Sequence, residues 1–224
     1  GCVSFVFMME LARSLMASSD AKSALICNVQ SAAGRVFGQE ENRKEAQSAV
    51  PGDGCGVGYL VANDESPIQS IITKSYGAYA CDMQITARDD RKWWQPGESS
   101  FRIDFSRRKV GSIVQRANVL VPGIIEQACS EASMTKNDID LLVTNQPNPV
   151  FLRNWREALE VSKENHVDTF EDHGNLFGAA MPIAFERAVM QKKVKPGSKV
   201  VFGGFSHAGD YAAAAVVDWQ SRNA

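Results

Sequence analysis

The sequence lacks an excess of charge of either sign. Its 24 Lys and Arg residues nearly balance 26 Asp and Glu residues, giving a formal net charge of −2 over 224 residues. This balance gives no electrostatic reason to expect nucleic acid or an anionic membrane surface as a partner. No apolar run is long enough to span a bilayer, and the apolar start lacks the basic region that opens a signal peptide. We therefore expect a cytoplasmic protein that binds neither nucleic acid nor membrane.

The sequence also lacks paired cysteines. Its five cysteines are odd in number and widely spaced, and no two have the spacing of metal ligands: Cys2, Cys27, Cys55, Cys81 and Cys129. This pattern argues against a zinc site and a disulfide framework, and it favours reduced thiols. An initiator methionine is lacking as well, and the chain opens directly at an apolar segment. We expect from this that an upstream part of the protein is missing here.

What is present begins with an apolar helix. From Val3 to Met16 nearly every position is apolar and neither Gly nor Pro occurs, which predicts a helix. A helix that is apolar on almost all sides belongs in the middle of a sizeable domain. Cys2 falls at its first turn, where unpaired N–H groups and the helix dipole favour a thiolate. Cys2 is therefore a candidate nucleophile, and the alternative is a small buried hydrophobe.

The rest of the chain alternates between apolar runs and helical spacing, which predicts an α/β layer fold. Pro122 is expected to kink or split the long helix of this pattern. The glycines of Gly52-Asp-Gly-Cys-Gly56 run into a strand and not a helix, so close packing is favoured over a phosphate loop. The predicted strands are 23–29, the strand that the glycines enter up to residue 61, one or two strands within 68–86, and 139–144, 167–170, 199–205 and 211–219. The predicted helices are 107–134, 150–161 and the segment from 179 to 190.

Four landmarks in this order make the chain resemble the thiolase superfamily, specifically the ketoacyl-carrier-protein synthase III branch of condensing enzymes. They are Cys2 with its apolar helix, Gly52-Asp-Gly-Cys-Gly56, His173-Gly174-Asn175 with the small residues after it, and Lys195-Pro196-Gly197 before the closing hairpin. The resemblance implies an αβαβα layered α/β fold whose N-terminal portion is missing from this chain. Residues 1–105 would end the N-terminal half, and residues 106–224 would form the C-terminal half.

Asn145 departs from the pattern of that branch. The branch has a His before the Gln that Gln146 matches, and this His acts with the Asn that Asn175 matches while a malonyl group loses carbon dioxide. An amide can donate a hydrogen bond, but it cannot act as a cation or shuttle a proton. Decarboxylative condensation is therefore kept as the alternative function.

The closing turn, Ser206-His207-Ala208-Gly209-Asp210, brings in a His and a carboxylate. This is similar to a side branch of synthase-III-like acyltransferases of antibiotic biosynthesis, which use Cys, His and Asp to pass an acyl group to an alcohol or amine. The resemblance implies acyl transfer through Cys2, with His173 as the base and Asp210 as its support. The N–H of Cys2 and a turn N–H near His207 or Ala208 would hold the oxyanion.

Other interpretations of these residues stay open. His173 can cap the following helix, and Asp210 can be an ordinary turn residue. His207 is the rival base because it lies in the same turn, and His166, in a charged connection, is expected to be solvated. A non-catalytic partner subunit that completes a dimer is the third reading of the chain.

The resemblance also implies the substrates and partners. The acyl donor would be a coenzyme A or phosphopantetheine thioester, presented as acyl-CoA or on an acyl carrier protein. The acceptor would be a small molecule, the assembly a homodimer, and no metal or permanently bound cofactor is expected. Asn148 matches a position that approaches the pantetheine arm. Arg153 lies nearby and can meet a coenzyme A phosphate or an acidic carrier, with a solvated helix charge as its other interpretation.

Overall fold

Helix α1 (Ser4–Ala17) confirms the predicted apolar helix and lies between two β-sheets. The computed structural model describes residues 1–63, 67–87, 101–103 and 107–220. The buried side chains of α1, which include Phe5, Val6 and Met9, share one apolar core with Ile26 of the first sheet and Phe202 of the second. Burial on both sides explains why the segment is apolar almost all round.

The first sheet is an antiparallel ribbon of β1 (Ser23–Gln30) and β2 (Gly54–Val61). One face of the ribbon packs on α1, and alternate residues point the other way. The outward-facing apolar side chains are more than half exposed: Leu25, Val29, Val57 and Tyr59. The sequence predicted a buried strand at 23–29, and in the described residues only one of its faces is covered.

The second sheet has four strands in the order β3-β8-β7-β6. Strands β6 and β7 are parallel, whereas β8 runs antiparallel to both β7 and β3. Their ranges are β3 Ile68–Ser75, β6 Leu141–Thr144, β7 Ser198–Ser206 and β8 Tyr211–Trp219, while β4 (Ile85–Ala87) and β5 (Phe101–Ile103) form a separate small ribbon. The sheet of the C-terminal half thus includes β3, a strand from before residue 106. The predicted boundary at 105 itself lies outside the described residues.

Helices cover both faces of the second sheet. Helix α5 (Ala180–Met190) lies beside α1 on one face, and α2 (Arg107–Glu131) and α3 (Pro149–Ala158) share a core with the other face. Pro122 lies inside α2, which runs through it as one helix. The expected split does not occur. Proline removes only one backbone hydrogen bond, and the helix is held on both sides of it by Val121 and Ile125, which are fully buried against the sheet.

The connection after α3 differs from the prediction of a short strand at 167–170. His166 forms only an isolated bridge with Leu142, and α4 (Phe170–His173) begins where the strand was expected. The remaining short helical turns are Ala33–Phe37, Ala46–Ala49, Gly77–Tyr79, Lys136–Asp138, Lys163–Asn165 and Phe177–Ala179. Among the described residues, no helix has both the length and the apolar character needed to cross a membrane.

Candidate active site

Cys2 lies where the start of α1 meets the turn between β7 and β8. The helix begins two residues later, at Ser4, so Cys2 occupies the predicted position at the head of α1. Its backbone N–H donates to Ser206 Oγ at 2.9 Å, and its sulfur accepts a hydrogen bond from the backbone N–H of His207. Cys2 is 8% exposed. The nucleophile candidate is therefore held against a single turn of the second sheet.

Burial raises the pKa of the Cys2 thiol above its ordinary value. The hydrogen bonds from the His207 N–H and the Ser206 hydroxyl act in the opposite direction, because they stabilise the thiolate. The thiol form thus predominates at neutral pH. Attack by Cys2 on a carbonyl carbon requires a base that removes the proton.

The turn Ser206–Asp210 supplies a candidate for that base. His207 has a left-handed backbone (φ 48°), and a Cβ added to Gly1 would lie 3.4 Å from its ring carbon Cε1, so the imidazole stands beside the nucleophile segment. His207 Nδ1 lies 3.5 Å from Asp210 Oδ1. This exceeds an ordinary hydrogen-bond length, and Asp210 Oδ1 has no hydrogen-bond partner among the described residues. The carboxylate is 9% exposed and free to take the ring N–H of His207 after a small rotation.

His173 is placed differently from the prediction that paired it with Asp210. It ends α4 on the exposed surface, and its Nε2 lies 3.1 Å from the guanidinium of Arg187. Arg187 also pairs with Asp172 at 2.6 Å. The structure thus places His207, and not His173, beside Asp210, while the ring of His173 contacts the guanidinium of Arg187.

Two amides lie on the segments that the sequence predicted. Asn145 follows β6 and is 1% exposed, and its Oδ1 accepts from the Phe205 N–H at 3.3 Å. That bond engages the amide oxygen with β7, and the NH₂ group of Asn145 keeps its capacity as a donor. Asn175 Oδ1 accepts from the Phe177 N–H at 2.9 Å and shapes the turn that follows α4. Neither amide makes a hydrogen bond to Cys2 in the structure.

The glycine motif before β2 packs against the segment that carries Asn175. A Cβ added to Gly52 would lie 2.0 Å from the carbonyl oxygen of His173, and one added to Gly56 would lie 2.4 Å from Pro182. The backbone N–H of Gly52 donates to the Asn175 carbonyl at 3.0 Å. These contacts confirm close packing as the reason for the glycines.

Asn148 and Arg153 make contacts that are common in α-helices. Asn148 is the N-cap of α3, and its Oδ1 accepts from the N–H groups of Val150 and Phe151 at 3.0 and 3.1 Å. Arg153 is exposed and lies 4.0 Å from Glu157, one turn further along the helix. The capping bonds account for Asn148, and contact of either residue with a donor stays a prediction.

His166 was expected to be solvated, and the structure shows that it is buried. It is 3% exposed, and its Nε2 lies 2.9 Å from Thr144 Oγ1. Burial, together with the charge of Arg156, lowers its pKa to about 3, so the ring is neutral. Gln146 extends this polar network by donating to the carbonyls of Thr144 and Val167 at 3.2 and 3.0 Å. The network fixes the end of β6, where Asn145 follows.

A cavity of about 180 Å³ opens next to Cys2. It is lined by both chain neighbours of Cys2 and by Ser206 and His207, and its apolar wall comes from Val3, Phe7 and Tyr211. The rings of Phe7 and Tyr211 meet edge to face, 5.8 Å apart. Phe7 and Tyr211 could not be recognised as lining residues from the sequence. They meet beside Cys2 only because β8 packs against α1 in the fold.

Residues 129–219 match a family model described as 3-Oxoacyl-[acyl-carrier-protein (ACP)] synthase III C terminal. The fold agrees: the chain superimposes on synthase III from Thermus thermophilus with a TM-score of 0.82 at 22% identity, over 99% of this chain and 67% of that one. These matches support a synthase-III-like member of the thiolase superfamily, with residues 129–219 similar to the C-terminal domain of that family. The predicted thiolase-like fold is thereby confirmed.

Two curated relatives are similar to this chain over more than nine-tenths of its length. It is 26% identical to beta-ketoacyl-[acyl-carrier-protein] synthase III of Erythrobacter litoralis, over 92% of this chain and 63% of the relative. It is 24% identical to the 2-heptyl-4(1H)-quinolone synthase subunit PqsC of Pseudomonas aeruginosa, over 95% of this chain and 60% of the relative. The chain thus spans about three-fifths of the length of these relatives.

Proposed function

We propose that the protein is an acyltransferase of the synthase III type, which carries an acyl group on Cys2 and passes it to a hydroxyl or amine acceptor. The observation that carries this proposal is the β7–β8 turn. It hydrogen-bonds both the N–H and the sulfur of Cys2, and it sets His207 at the cavity with Asp210 3.5 Å from the ring. The relatives, which include a beta-ketoacyl-[acyl-carrier-protein] synthase III, support acyl chemistry at this site.

In the first half of the reaction, His207 takes the proton of the Cys2 thiol. The sulfur then forms a bond to the carbonyl carbon of the acyl thioester, and the carbonyl electrons move onto oxygen. When the tetrahedral intermediate collapses, the thiol of the donor leaves and receives the proton from the His207 imidazolium. The backbone N–H of His207, which meets the Cys2 sulfur in the structure, is well placed to stabilise the negative oxygen.

In the second half, His207 removes the proton from the acceptor hydroxyl or amine as it attacks the acyl carbon. The Cys2 sulfur leaves as a thiolate and regains its proton from the imidazolium. Asp210 Oδ1 lies 3.5 Å from Nδ1; when the ring becomes charged, that oxygen accepts a hydrogen bond from the Nδ1 proton, which keeps Nε2 available as the base and stabilises the imidazolium. This assigns the base to His207 in place of His173.

The cavity bears on the size of the acyl group. The cavity beside Cys2 has a volume of about 180 Å³, which is below the usual range for a pocket that holds a drug-sized ligand. Its wall of Val3, Phe7 and Tyr211 is apolar, so a short aliphatic acyl chain is the expected cargo. The donor is a coenzyme A or carrier-protein thioester, the acceptor a small molecule of secondary metabolism, and the assembly a homodimer, as the resemblance to the synthase III branch implies.

Decarboxylative condensation is the second candidate. The curated synthase III relative supports it by name, and Asn145 presents its NH₂ group as a donor that can stabilise an enolate. Against it stands the absence of a protonatable ring at position 145. A test of this alternative with a malonyl thioester is given below.

The intact mass of the protein after mixing with a panel of acyl thioesters tests the proposal. The protein should gain the mass of one acyl group, and Cys2→Ala should gain none. Cys129→Ala is the matched control, since Cys129 is fully buried in α2 and burial raises its pKa to about 11. Equal labelling of Cys2→Ala would show that Cys2 is not the nucleophile. No labelling by any thioester would favour a non-catalytic partner subunit.

A further inference from the structure

The hydroxyl of Ser206 packs against Cys2 and against the preceding residue, Gly1. Ser206 ends β7 and is 2% exposed. Its Oγ accepts the N–H of Cys2 at 2.9 Å. A Cβ added to Gly1 would lie only 2.1 Å from the same oxygen, so the hydroxyl is packed tightly against the segment that carries Cys2. Water has little access to this contact.

The proton of that hydroxyl is available for the Cys2 sulfur. A serine hydroxyl has one proton and two lone pairs, and here one lone pair already receives the amide N–H. Ser206 also hydrogen-bonds the thiol of Cys2. Because the oxygen serves as the acceptor for the amide, the hydroxyl proton can serve the sulfur when the sulfur is anionic.

The same contact changes the oxyanion site that the sequence predicted. The N–H of Cys2 was expected to bind the negative oxygen together with a turn N–H, but in the structure it is already bound to Ser206 Oγ. The hydroxyl therefore takes the amide N–H for itself, and it also lines the cavity beside Cys2. A donor in this position reaches the sulfur first and, after rotation about its Cβ–Oγ bond, the adjacent carbonyl oxygen.

We propose that Ser206 is a further catalytic residue, whose hydroxyl donates a hydrogen bond to the Cys2 thiolate and then to the oxygen of the tetrahedral intermediate. The proposal rests on acyl transfer through Cys2. Ser206 keeps its proton throughout: the new bond joins the Cys2 sulfur to the acyl carbon, the carbonyl electrons move to the oxygen, and their return expels the donor thiol. Ser206 and the His207 N–H then share the oxyanion.

Two variants separate this role from simple packing. Ser206→Ala removes the hydroxyl, and Ser206→Thr keeps one at the same position. The first measurement is the rate at which iodoacetamide alkylates Cys2, followed on the Cys2 peptide by mass spectrometry as a function of pH. Ser206→Ala should move this profile to higher pH, and Ser206→Thr should restore it towards that of the unaltered protein.

The second measurement is the rate of acyl transfer from a thioester to Cys2. Ser206→Ala should slow it by about 10²-fold, the usual effect of removing one oxyanion donor, and Ser206→Thr should recover most of that loss. Ser70→Ala is the matched control. Ser70 is 5% exposed and its hydroxyl donates to the Ala128 carbonyl at 2.8 Å, so its loss removes one buried hydrogen bond far from Cys2.

The proposal is overturned if Ser206→Ala alkylates and acylates like the unaltered protein. It is also overturned if Ser206→Ala and Ser206→Thr lose acylation equally while the alkylation profile of Cys2 stays in place, since that pattern describes a packing role. If the unaltered protein accepts no acyl group, the proposed function fails. Even then, the alkylation profiles of Cys2 decide whether Ser206 donates to the sulfur, because alkylation does not depend on acyl transfer. If Ser206→Ala does not fold, a Ser206→Cys variant, with its weaker donor, provides the same comparison.

Discussion

Arg116 of α2 donates a hydrogen bond to the backbone carbonyl of Ala208, in the turn that carries His207. The other end of the guanidinium pairs with Asp82 at 2.7 Å, and its central carbon lies 3.5 Å from the centre of the Tyr79 ring. Gly209 allows this approach, since a Cβ there would lie 2.8 Å from Arg116 Cδ. One half-buried arginine thus supports the turn that carries His207.

Arg116→Met should therefore lower the free energy of unfolding by about 1–3 kcal/mol, because it removes charge-assisted hydrogen bonds and leaves the Ala208 carbonyl unpaired. Urea denaturation measures this change. Arg153→Met is the matched control, because Arg153 is exposed and its pairing with Glu157 is worth less than about 1 kcal/mol. Equal losses for the two variants would show that Arg116 does not fix the turn.

The identity of the base can be read from the transfer step alone. His207→Ala should slow the loading of Cys2, and once Cys2 has been loaded by long incubation it should slow the passage of the acyl group to the acceptor by about 10²- to 10⁴-fold, the usual contribution of a positioned base. His173→Ala should have little effect, because its ring contacts Arg187 on the surface. The decay of the acyl-enzyme mass after addition of acceptor gives both rates. A larger loss for His173→Ala would restore the assignment made from the sequence.

Position 145 separates transfer from condensation. Transfer forms no enolate, whereas condensation of a malonyl unit must stabilise the one left by carbon dioxide. With labelled malonyl thioester, the protein should either leave it unchanged or carry it intact on Cys2, and release of labelled carbon dioxide should stay near background. Asn145→His, which restores a protonatable ring, is expected to raise that release. Stoichiometric carbon dioxide together with a β-keto product would establish condensation instead.

His166 should make the protein sensitive to acid. Its pKa in the fold is about 3, below the ordinary 6.5, so its contribution to stability is present above pH 6.5 and is lost as the pH falls towards 3. Across that range the unfolding free energy should fall by about 1.4 kcal/mol per pH unit on account of this group. The difference in unfolding free energy between the unaltered protein and His166→Asn should therefore shrink as the pH falls. His173→Asn is the exposed control and should leave the change of unfolding free energy with pH as it is in the unaltered protein. If His166→Asn also leaves that pH dependence unchanged, the prediction is wrong.

The sequence predicted the local features of the site well. The apolar run after Cys2 could hardly form anything but a buried helix, and the glycines of the motif at 52–56 had a packing explanation that the structure confirms. The two strands that end the chain were also predictable, because each is a short apolar run bounded by a turn. These features depend on neighbouring residues, which a single sequence contains.

The side-chain partnerships could not be predicted in the same way. His173 and His207 both lay close to plausible partners in the sequence, and only the turn between β7 and β8 decides that Asp210 meets His207. His166 sits in a polar stretch and is buried because the chain passes under the end of β6. The role of Ser206 was missed because its contact with Cys2 joins opposite ends of the sequence.

The pairing of β3 with β8 has a consequence for how the protein is made. Ile68 is opposite Val217, so two strands from distant parts of the chain are neighbours in the sheet. Strand β3 lies at the edge of that sheet and has β8 as its neighbour. A chain emerging from the ribosome cannot therefore complete this sheet until Trp219 has been synthesised. Because such distant contacts form slowly, the pairing of β3 with β8 is expected to be a late event of folding.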